Sequence, residues 1–254
     1  MALPDTQRYD AAFYDEQVEG SARSAAVILP LLFAVLRPSR VIDVGCGQGA
    51  WLAEAGRLGA TTLTGLDGDW VDRARLRSPA IRFVPTDLAG PIAIETTHDL
   101  CLSVEVAEHL PPARADAFVE ALCRAADAVL FSAAVPGQGG TEHVHEARAS
   151  RWAARFAAQG FEAFDLVRGA VWDDPRVEWW YRQNCLVYAR RGSAAHALLA
   201  AVPLPPRPRD LVHPDAFEAK VTWLEAERAR LTRWIERPTV GQALRAMWRA
   251  LGLG

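Results

Sequence analysis

Two short segments carry residues that could do acid–base or metal chemistry. Residues 105–109 read E-V-A-E-H, which brings Glu105, Glu108 and His109 together. If this segment opens a helix, Glu105 shares a face with Glu108 and His109 through i,i+3 and i,i+4 spacing. Further on, T-E-H-V-H-E at 141–146 contributes His143, His145 and Glu146. One reading is a divalent cation held by Glu105, Glu108, His109 and His143. Mixed oxygen and imidazole donors suit Mg²⁺, Mn²⁺ or Fe²⁺ better than structural zinc. Such a cation would lower the pKa of a substrate hydroxyl and orient it. A second reading makes His109 or His143 a metal-free general base. A third makes Glu108 and His109 polar residues at a helix start that hold loops.

A glycine-rich turn supplies the other candidate site. V-I-D-V-G-C-G-Q-G-A, from Val41 to Ala50, follows a strand-like run and opens a helix-like one. Gly45, Gly47 and Ala50 fit the dinucleotide pattern G-x-G-x-x-G/A, although a ligand-free turn can pass the same test. Asp67, 22 residues after Gly45, ends the next strand-like run, where a carboxylate can accept both ribose hydroxyls of an adenosine. Asp43 lies inside the first run. A carboxylate there suits a ligand bearing an ammonium group and would repel a pyrophosphate. Asp87, past the third run, can reach an adenine amino group. These two acids favour S-adenosylmethionine over NAD.

The elements that must position these residues alternate in type. Strand candidates are Arg40–Val44, Thr61–Leu66, Ile81–Val84, Asp99–Val104, Ala128–Ala133, Phe161–Val167 and Cys185–Ala189. Helix candidates are Ala50–Leu58, Trp70–Leu76, Pro112–Ala125 and Ala149–Gln159. Alternation of this kind predicts an α/β fold with a mostly parallel sheet. The crossover Asp87–Thr97 is short and contains Pro91, so a loop is expected there. The last two strand candidates are joined by an aromatic, charged segment without helical periodicity. A terminal antiparallel hairpin is the expectation.

After Arg191 the composition changes. Pro203, Pro205, Pro206 and Pro208 read as a stiff linker. Beyond it Phe217, Val221, Leu224, Leu231 and Ile235 recur with 4-3-7-4 spacing, and Arg228 fills the gap. That is a helix with a narrow apolar seam, able to dock on the domain, to pair as a coiled coil in a homodimer, or to contact a membrane surface. A short basic amphipathic pattern follows Pro238, with Val240, Leu244, Met247, Trp248 and Leu251. The expected organisation is a domain at 1–192, a linker at 193–212 and a helical tail at 213–254.

Composition bounds the rest. The chain has 254 residues, 50% hydrophobic and 23% charged, which excludes a disordered or fibrous protein. The longest apolar run, Ala25 to Leu36, contains Pro30 and is short for a membrane span. No basic n-region precedes an apolar stretch at the N-terminus, so the cytoplasm is expected. The net charge of −3 opposes a nucleic-acid partner held by a general basic surface. Cys46, Cys101, Cys123 and Cys185 form no C-x-x-C pair, which fits free thiols in a reducing compartment.

Taken in order, D-V-G-C-G-Q-G at Asp43–Gly49, Asp67, Asp87 and S-V-E-V-A-E-H-L-P at Ser103–Pro111 resemble the successive motifs of class I S-adenosylmethionine-dependent methyltransferases. The resemblance spans roughly Ala25 to Arg190. It implies a Rossmann-like seven-stranded sheet with a reversed terminal hairpin. It also implies cofactor contacts: Asp43, Gly45, Cys46, Gly47 and Gly49 around the methionine part, Asp67 on the ribose, Asp87 and Leu88 near the adenine, with Gly68 and Glu105 as further cofactor-binding residues. Tyr14–Ala25 resembles the helical lid that precedes this domain in relatives. E-x-x-E-H with a later His is similar to metal-assisted 2′-O-methyltransferases of small-RNA ends, and E-x-x-E-H alone to O-methyltransferases of ubiquinone biosynthesis. E-H-L-P also occurs in metal-free members. Within the second cluster, H-x-x-E favours His143 over His145.

The aromatic segment Val171–Asn184, with Trp172, Trp179, Trp180 and Tyr181 beside Arg176 and Arg182, could hold a sugar ring or cover the hairpin edge. The expected function is therefore methylation of a small-molecule hydroxyl, on a sugar-containing or natural-product acceptor. An RNA 2′-O-methyltransferase and a non-catalytic adenosyl-cofactor-binding protein are the alternatives.

Overall fold

The runs Leu100–Val104 and Ala128–Ser132 become strands buried on both faces. The computed structural model describes residues 11–205, 208, 210–236, 241 and 247–250. Its elements are α1 (Ala11–Leu36), β1 (Arg40–Val44), α2 (Ala50–Arg57), β2 (Thr62–Asp67), β3 (Ile81–Pro85), β4 (Leu100–Val104), α3 (Ala115–Ala125), β5 (Ala128–Ser132), α4 (Ala149–Ala158), β6 (Phe161–Phe164), α5 (Arg168–Val171), α6 (Trp179–Asn184), β7 (Leu186–Arg190), α7 (Ala194–Ala200) and α8 (Pro214–Glu236). The chain divides into two units between His213 and Pro214, and α8 lies in the second.

The seven strands form one sheet in the order β3-β2-β1-β4-β5-β7-β6. The first five run parallel, while β7 is antiparallel to both β5 and β6. The expected terminal hairpin is therefore present. Strand order reverses between β1 and β4, and a crevice at that switch point, outside the carboxyl ends of the strands, is where open α/β sheets bind ligands. Both faces of the sheet are covered. Phe118 and Leu122 of α3 and Trp152 and Phe156 of α4 pack on one face, with Phe156 stacked on Tyr188 at 3.9 Å. Ile28, Leu29 and Leu32 of α1 pack with Trp51 and Leu52 of α2 on the other. Each such buried side chain stabilises by roughly 1.5–3 kcal/mol.

Helix α1 runs through Pro30, and its window Glu19–Leu36 is long and apolar enough to cross a membrane by length and composition, contrary to the run-length expectation. Its inner residues Ala25, Ile28, Leu29 and Leu32 are fully buried in the sheet core. Across the whole window 39% of the residues are buried.

Other expectations are corrected. Trp70–Leu76 makes only a single 3₁₀ turn at Arg73–Arg75, none of it buried. A helix that short has no stability without packing. The segment between the last two strands is not irregular: α5 and α6 form there, and they bury Arg168, Val171, Tyr181, Arg182, Gln183 and Asn184. Tertiary packing makes these helices, because four to six residues are too few for a periodic signal. The first part of the supposed linker is α7, capped by Ser193 Oγ accepting from His196 N and anchored by the fully buried Leu199. E-V-A-E-H is not one helical turn. Glu105 has φ +54, and a 3₁₀ turn follows at Ala107–His109. The tail pattern after Pro238 falls largely outside the described residues, including Val240, Leu244 and Leu251, while Met247 and Trp248 are exposed.

Candidate active site

After β1 the chain reverses through Gly45 at φ +91, with the N–H groups of Gly45 and Cys46 donating to the Leu66 carbonyl at 2.8 and 3.2 Å. A Cβ on Gly45 would lie 2.3 Å from Val106 Cγ2, so the turn packs directly against the loop that carries Glu105 and Glu108. Gly47, at φ +51, differs. Nothing lies within 4 Å of where its Cβ would be. Gly49 stands at the α2 N-cap with no side-chain cap, which leaves N–H groups of the first turn open.

Asp67 holds this turn. Its Oδ2 accepts from Gly47 N and its Oδ1 from Gly68 N, each at 2.7 Å. A carboxylate oxygen has two acceptor positions, so each keeps one for a ribose hydroxyl. Asp43 sits between Gly65 of β2 and Leu102 of β4, 1% exposed. Neither of its carboxylate oxygens has a hydrogen-bond partner among the described residues. Burial first, and the Asp67 charge second, hold its pKa well above the usual carboxylate range. An orphaned buried carboxyl is costly and fits a site completed by a cationic group. A pyrophosphate would worsen the electrostatics. The residues present therefore fit the ammonium, ribose and open backbone approach that S-adenosylmethionine requires.

The adenine end is less enclosed. Asp87 is exposed and its Oδ1 accepts from Ala89 N at 3.0 Å, while Leu88 is buried. Cys46 is buried, and burial together with Asp43 and Asp67 raises its thiol pKa, so it packs as a neutral group. In the sequence Trp70 reads only as the start of a helix and not as a site residue. Its ring covers Gly68, where a Cβ would meet ring carbons, yet the residue is 80% exposed. The only sequence signal was a large aromatic just past Asp67 with no periodic pattern to bury it.

The acidic–histidine segments converge at the same sheet edge. Val144 N and His145 N both donate to the Glu108 carbonyl, at 2.9 and 3.0 Å. This joins the loop after β5 to the turn after β4. The His109 and His143 rings meet edge to face with centroids 5.0 Å apart. Ligand atoms of Glu108, His109 and His143 lie within 4.8 Å of one another. His143 Nδ1 lies 3.2 Å from Glu146 Oε1, and Glu146 also accepts from Gly137 N and Gly139 N. Burial pushes the Glu146 pKa up, but these donors outweigh it and hold it low. An Nδ1–H donated to Glu146 leaves the His143 Nε2 lone pair free, the usual arrangement behind a ligating or basic imidazole.

Glu108 is fully buried, and neither carboxylate oxygen has a hydrogen-bond partner among the described residues. Burial, and then the neighbouring Glu105, push its pKa up to about 9. Burial, followed by His143, lowers the His109 pKa, so that imidazole is neutral and available at pH 7. Glu105 stands beside Glu108, whose pKa it raises, but it is not among the three residues whose ligand atoms lie within 4.8 Å of one another. Gln138 Nε2 donates to its Oε2 at 2.9 Å and Asn184 Nδ2 to its Oε1 at 3.2 Å. The left-handed backbone at Glu105 turns it away from the one-faced helical arrangement. His145 also turns away, with its ring 5.2 Å from Trp152.

Gln138 and Asn184 were not identified from the sequence. Their signals were faint: a glutamine inside P-G-Q-G-G and an asparagine closing W-W-Y-R-Q-N. The aromatic segment is largely structural. Tyr181 is buried and its hydroxyl pairs with Ser21 Oγ of α1 at 3.1 Å, while Arg176 is held by Asp174 at 2.6 Å. Trp179 and Trp180 are half-buried and pack on each other edge to face.

Residues 14–131 match the family model described as a methyltransferase domain. No curated protein matches the sequence. Among solved structures, magnesium protoporphyrin IX methyltransferase from Synechocystis, with bound SAM, is 18% identical. That match covers 72% of this chain and 85% of that one, with TM-score 0.53. DesVI from Streptomyces venezuelae is 15% identical over 72% of this chain and 99% of that one, with TM-score 0.55. The sugar N-methyltransferase KedS8 from a Streptoalloteichus species is 16% identical over 75% and 99%, with TM-score 0.55. At these identities the likeness establishes the fold.

Proposed function

We propose that the chain, whose residues 14–131 match a methyltransferase-domain model and whose fold is shared with class I methyltransferases, is itself a methyltransferase that uses S-adenosylmethionine to methylate a small-molecule hydroxyl, on a sugar-containing or natural-product acceptor. When bound, the cofactor supplies a methyl group already activated on a sulfonium, so the protein mainly positions, desolvates and removes a proton. Asp43 would take the ammonium group, Gly45–Gly49 would approach the methionine part, Asp67 the ribose, and Trp70, Asp87 and Leu88 the adenine. The observation that carries the choice of a hydroxyl is the meeting of Glu108, His109 and His143 within 4.8 Å beside the glycine turn. A hydroxyl must lose its proton during transfer, whereas carbon and soft sulfur acceptors make a different demand. Neutral His109 and the Glu146-oriented His143 can each receive that proton. The same three residues have the donor set for Mg²⁺ or Mn²⁺, and a cation there would supply Lewis acidity toward the acceptor oxygen.

The test is calorimetric titration of chelator-treated protein with S-adenosylhomocysteine and, in parallel, with NAD⁺. Binding of the first alone, lost in Asp67→Ala, supports the cofactor assignment; binding of NAD⁺ alone overturns it. Turnover is then measured against a panel of hydroxyl and amino sugars and an RNA 3′ end, with and without Mn²⁺. Methylation confined to amines or to RNA would replace the hydroxyl-acceptor assignment.

A further inference from the structure

We propose that α8 pairs with α8 of a second copy of this chain as a parallel two-stranded coiled coil. The helix spans Pro214–Glu236, and its apolar residues follow a heptad. Phe217, Leu224 and Leu231 take d positions, and Val221, Arg228 and Ile235 take a positions. In the single chain Phe217, Leu224 and Leu231 of this seam are 64%, 51% and 44% exposed, and Val221 is half-buried. Most helical stability in proteins comes from burying such an apolar stripe and not from propensity.

Charge at the flanking positions selects the occupant and its direction. In a parallel pair each g residue faces the e residue five places on in the other helix. Lys220 then faces the second copy's Glu225, twice per dimer, and Glu227 faces the neutral Thr232. The antiparallel alignment that pairs all six seam positions places Glu225 opposite Glu225 and Glu227 opposite Glu227. Like charges so placed destabilise it. In the single chain Lys220 lies over the Trp223 ring at 4.7 Å, at the edge of the seam. Arg228 makes one polar layer at an a position. Such a layer lowers stability but sets register and strand number. Its guanidinium lies next to Glu227, which already holds Arg230 at 2.7 Å in the same helix.

Sedimentation equilibrium of the full chain tests the pairing. The expected species is a dimer of the 27.8 kDa chain, converted to monomer by Leu224→Glu with Leu231→Glu. Lys220→Glu alone should weaken the dimer by about tenfold, and adding Glu225→Lys should restore it. Direction is read by Val221→Cys under mild oxidation. The four native cysteines are buried, so a cross-linked dimer reports a–a contact of parallel helices. Retained S-adenosylhomocysteine binding, or an unchanged circular dichroism spectrum, shows that each variant is folded. A wild-type chain that stays monomeric at every concentration overturns the proposal, whether or not it binds phosphatidylglycerol vesicles. So does a dimer that survives the double Glu substitution. A dimer that Val221→Cys fails to cross-link, and that Val221→Cys with Leu231→Cys does, overturns the parallel direction.

Discussion

Replacing Gly45 and Gly47 separately by Ala should split stability from cofactor binding. At Gly45 the new methyl meets two problems. The φ of +91 lies outside comfortable space for a side chain, which costs roughly 1–2 kcal/mol. The Cβ would also sit 2.3 Å from Val106 Cγ2, and Val106 is itself buried. Overpacking of that kind costs roughly 1–3 kcal/mol, so Gly45→Ala should lose about 2–5 kcal/mol. Gly47 has φ +51, within the left-handed well, and no atom within 4 Å of the added carbon. Its substitution should cost only the backbone strain, about 1–2 kcal/mol of stability. If the space over Gly47 belongs to the cofactor, the same methyl should weaken S-adenosylhomocysteine binding at least about tenfold, or 1.4 kcal/mol. Urea unfolding of both variants and calorimetric titration of Gly47→Ala read the two quantities independently. Wild-type affinity in Gly47→Ala would refute the placement of the ligand over this turn. Equal destabilisation by the two substitutions would refute the packing account.

Three further outcomes are expected. Trp70→Ala should change stability by less than about 0.5 kcal/mol, since the side chain is mostly exposed. It should weaken S-adenosylhomocysteine by about threefold or more if the ring stacks on adenine, and unchanged affinity would remove it from the site. Glu108 has its folded pKa raised to about 9, so between pH 4.5 and 9 the native state keeps a proton that the unfolded chain has released. Wild-type stability should therefore fall relative to Glu108→Gln as pH rises through that window, by at most about 1.4 kcal/mol per unit, and converge with it below pH 4. Parallel urea curves for the two proteins across the window would contradict this. Mn²⁺ affinity, followed by paramagnetic resonance, should rise with pH because Glu108 must lose its proton, and should vanish in His143→Ala. Glu146→Gln should weaken it by about 10–100-fold. An unaltered Mn²⁺ signal in His143→Ala would point to a different set of ligands.

The strands and the glycine turn could be read from the chain because their causes are local. Apolar runs such as Leu100–Val104 and Ala128–Ser132 are buried whatever surrounds them, and glycines at 45, 47 and 49 mark a backbone that must turn. The acids at 43, 67 and 87 follow, since each is tied to a strand and hence to one edge of the sheet. The helices at 168–171 and 179–184 left no periodic trace, because packing against the sheet and α1 makes them. The meeting of Glu108, His109 and His143 depended on segments distant in sequence. His109 and His143 are 34 residues apart and meet because β4 and β5 are neighbours and the Glu108 carbonyl holds the next loop. Spacing alone put Glu105 on one helical face with them; instead a left-handed backbone carries it, and the amides of Gln138 and Asn184 hold it beside Glu108. Residue type and local period thus determined the fold class and the cofactor edge. Which side chains meet above that edge was settled by loop hydrogen bonds between segments far apart in the chain, a property no local pattern encodes.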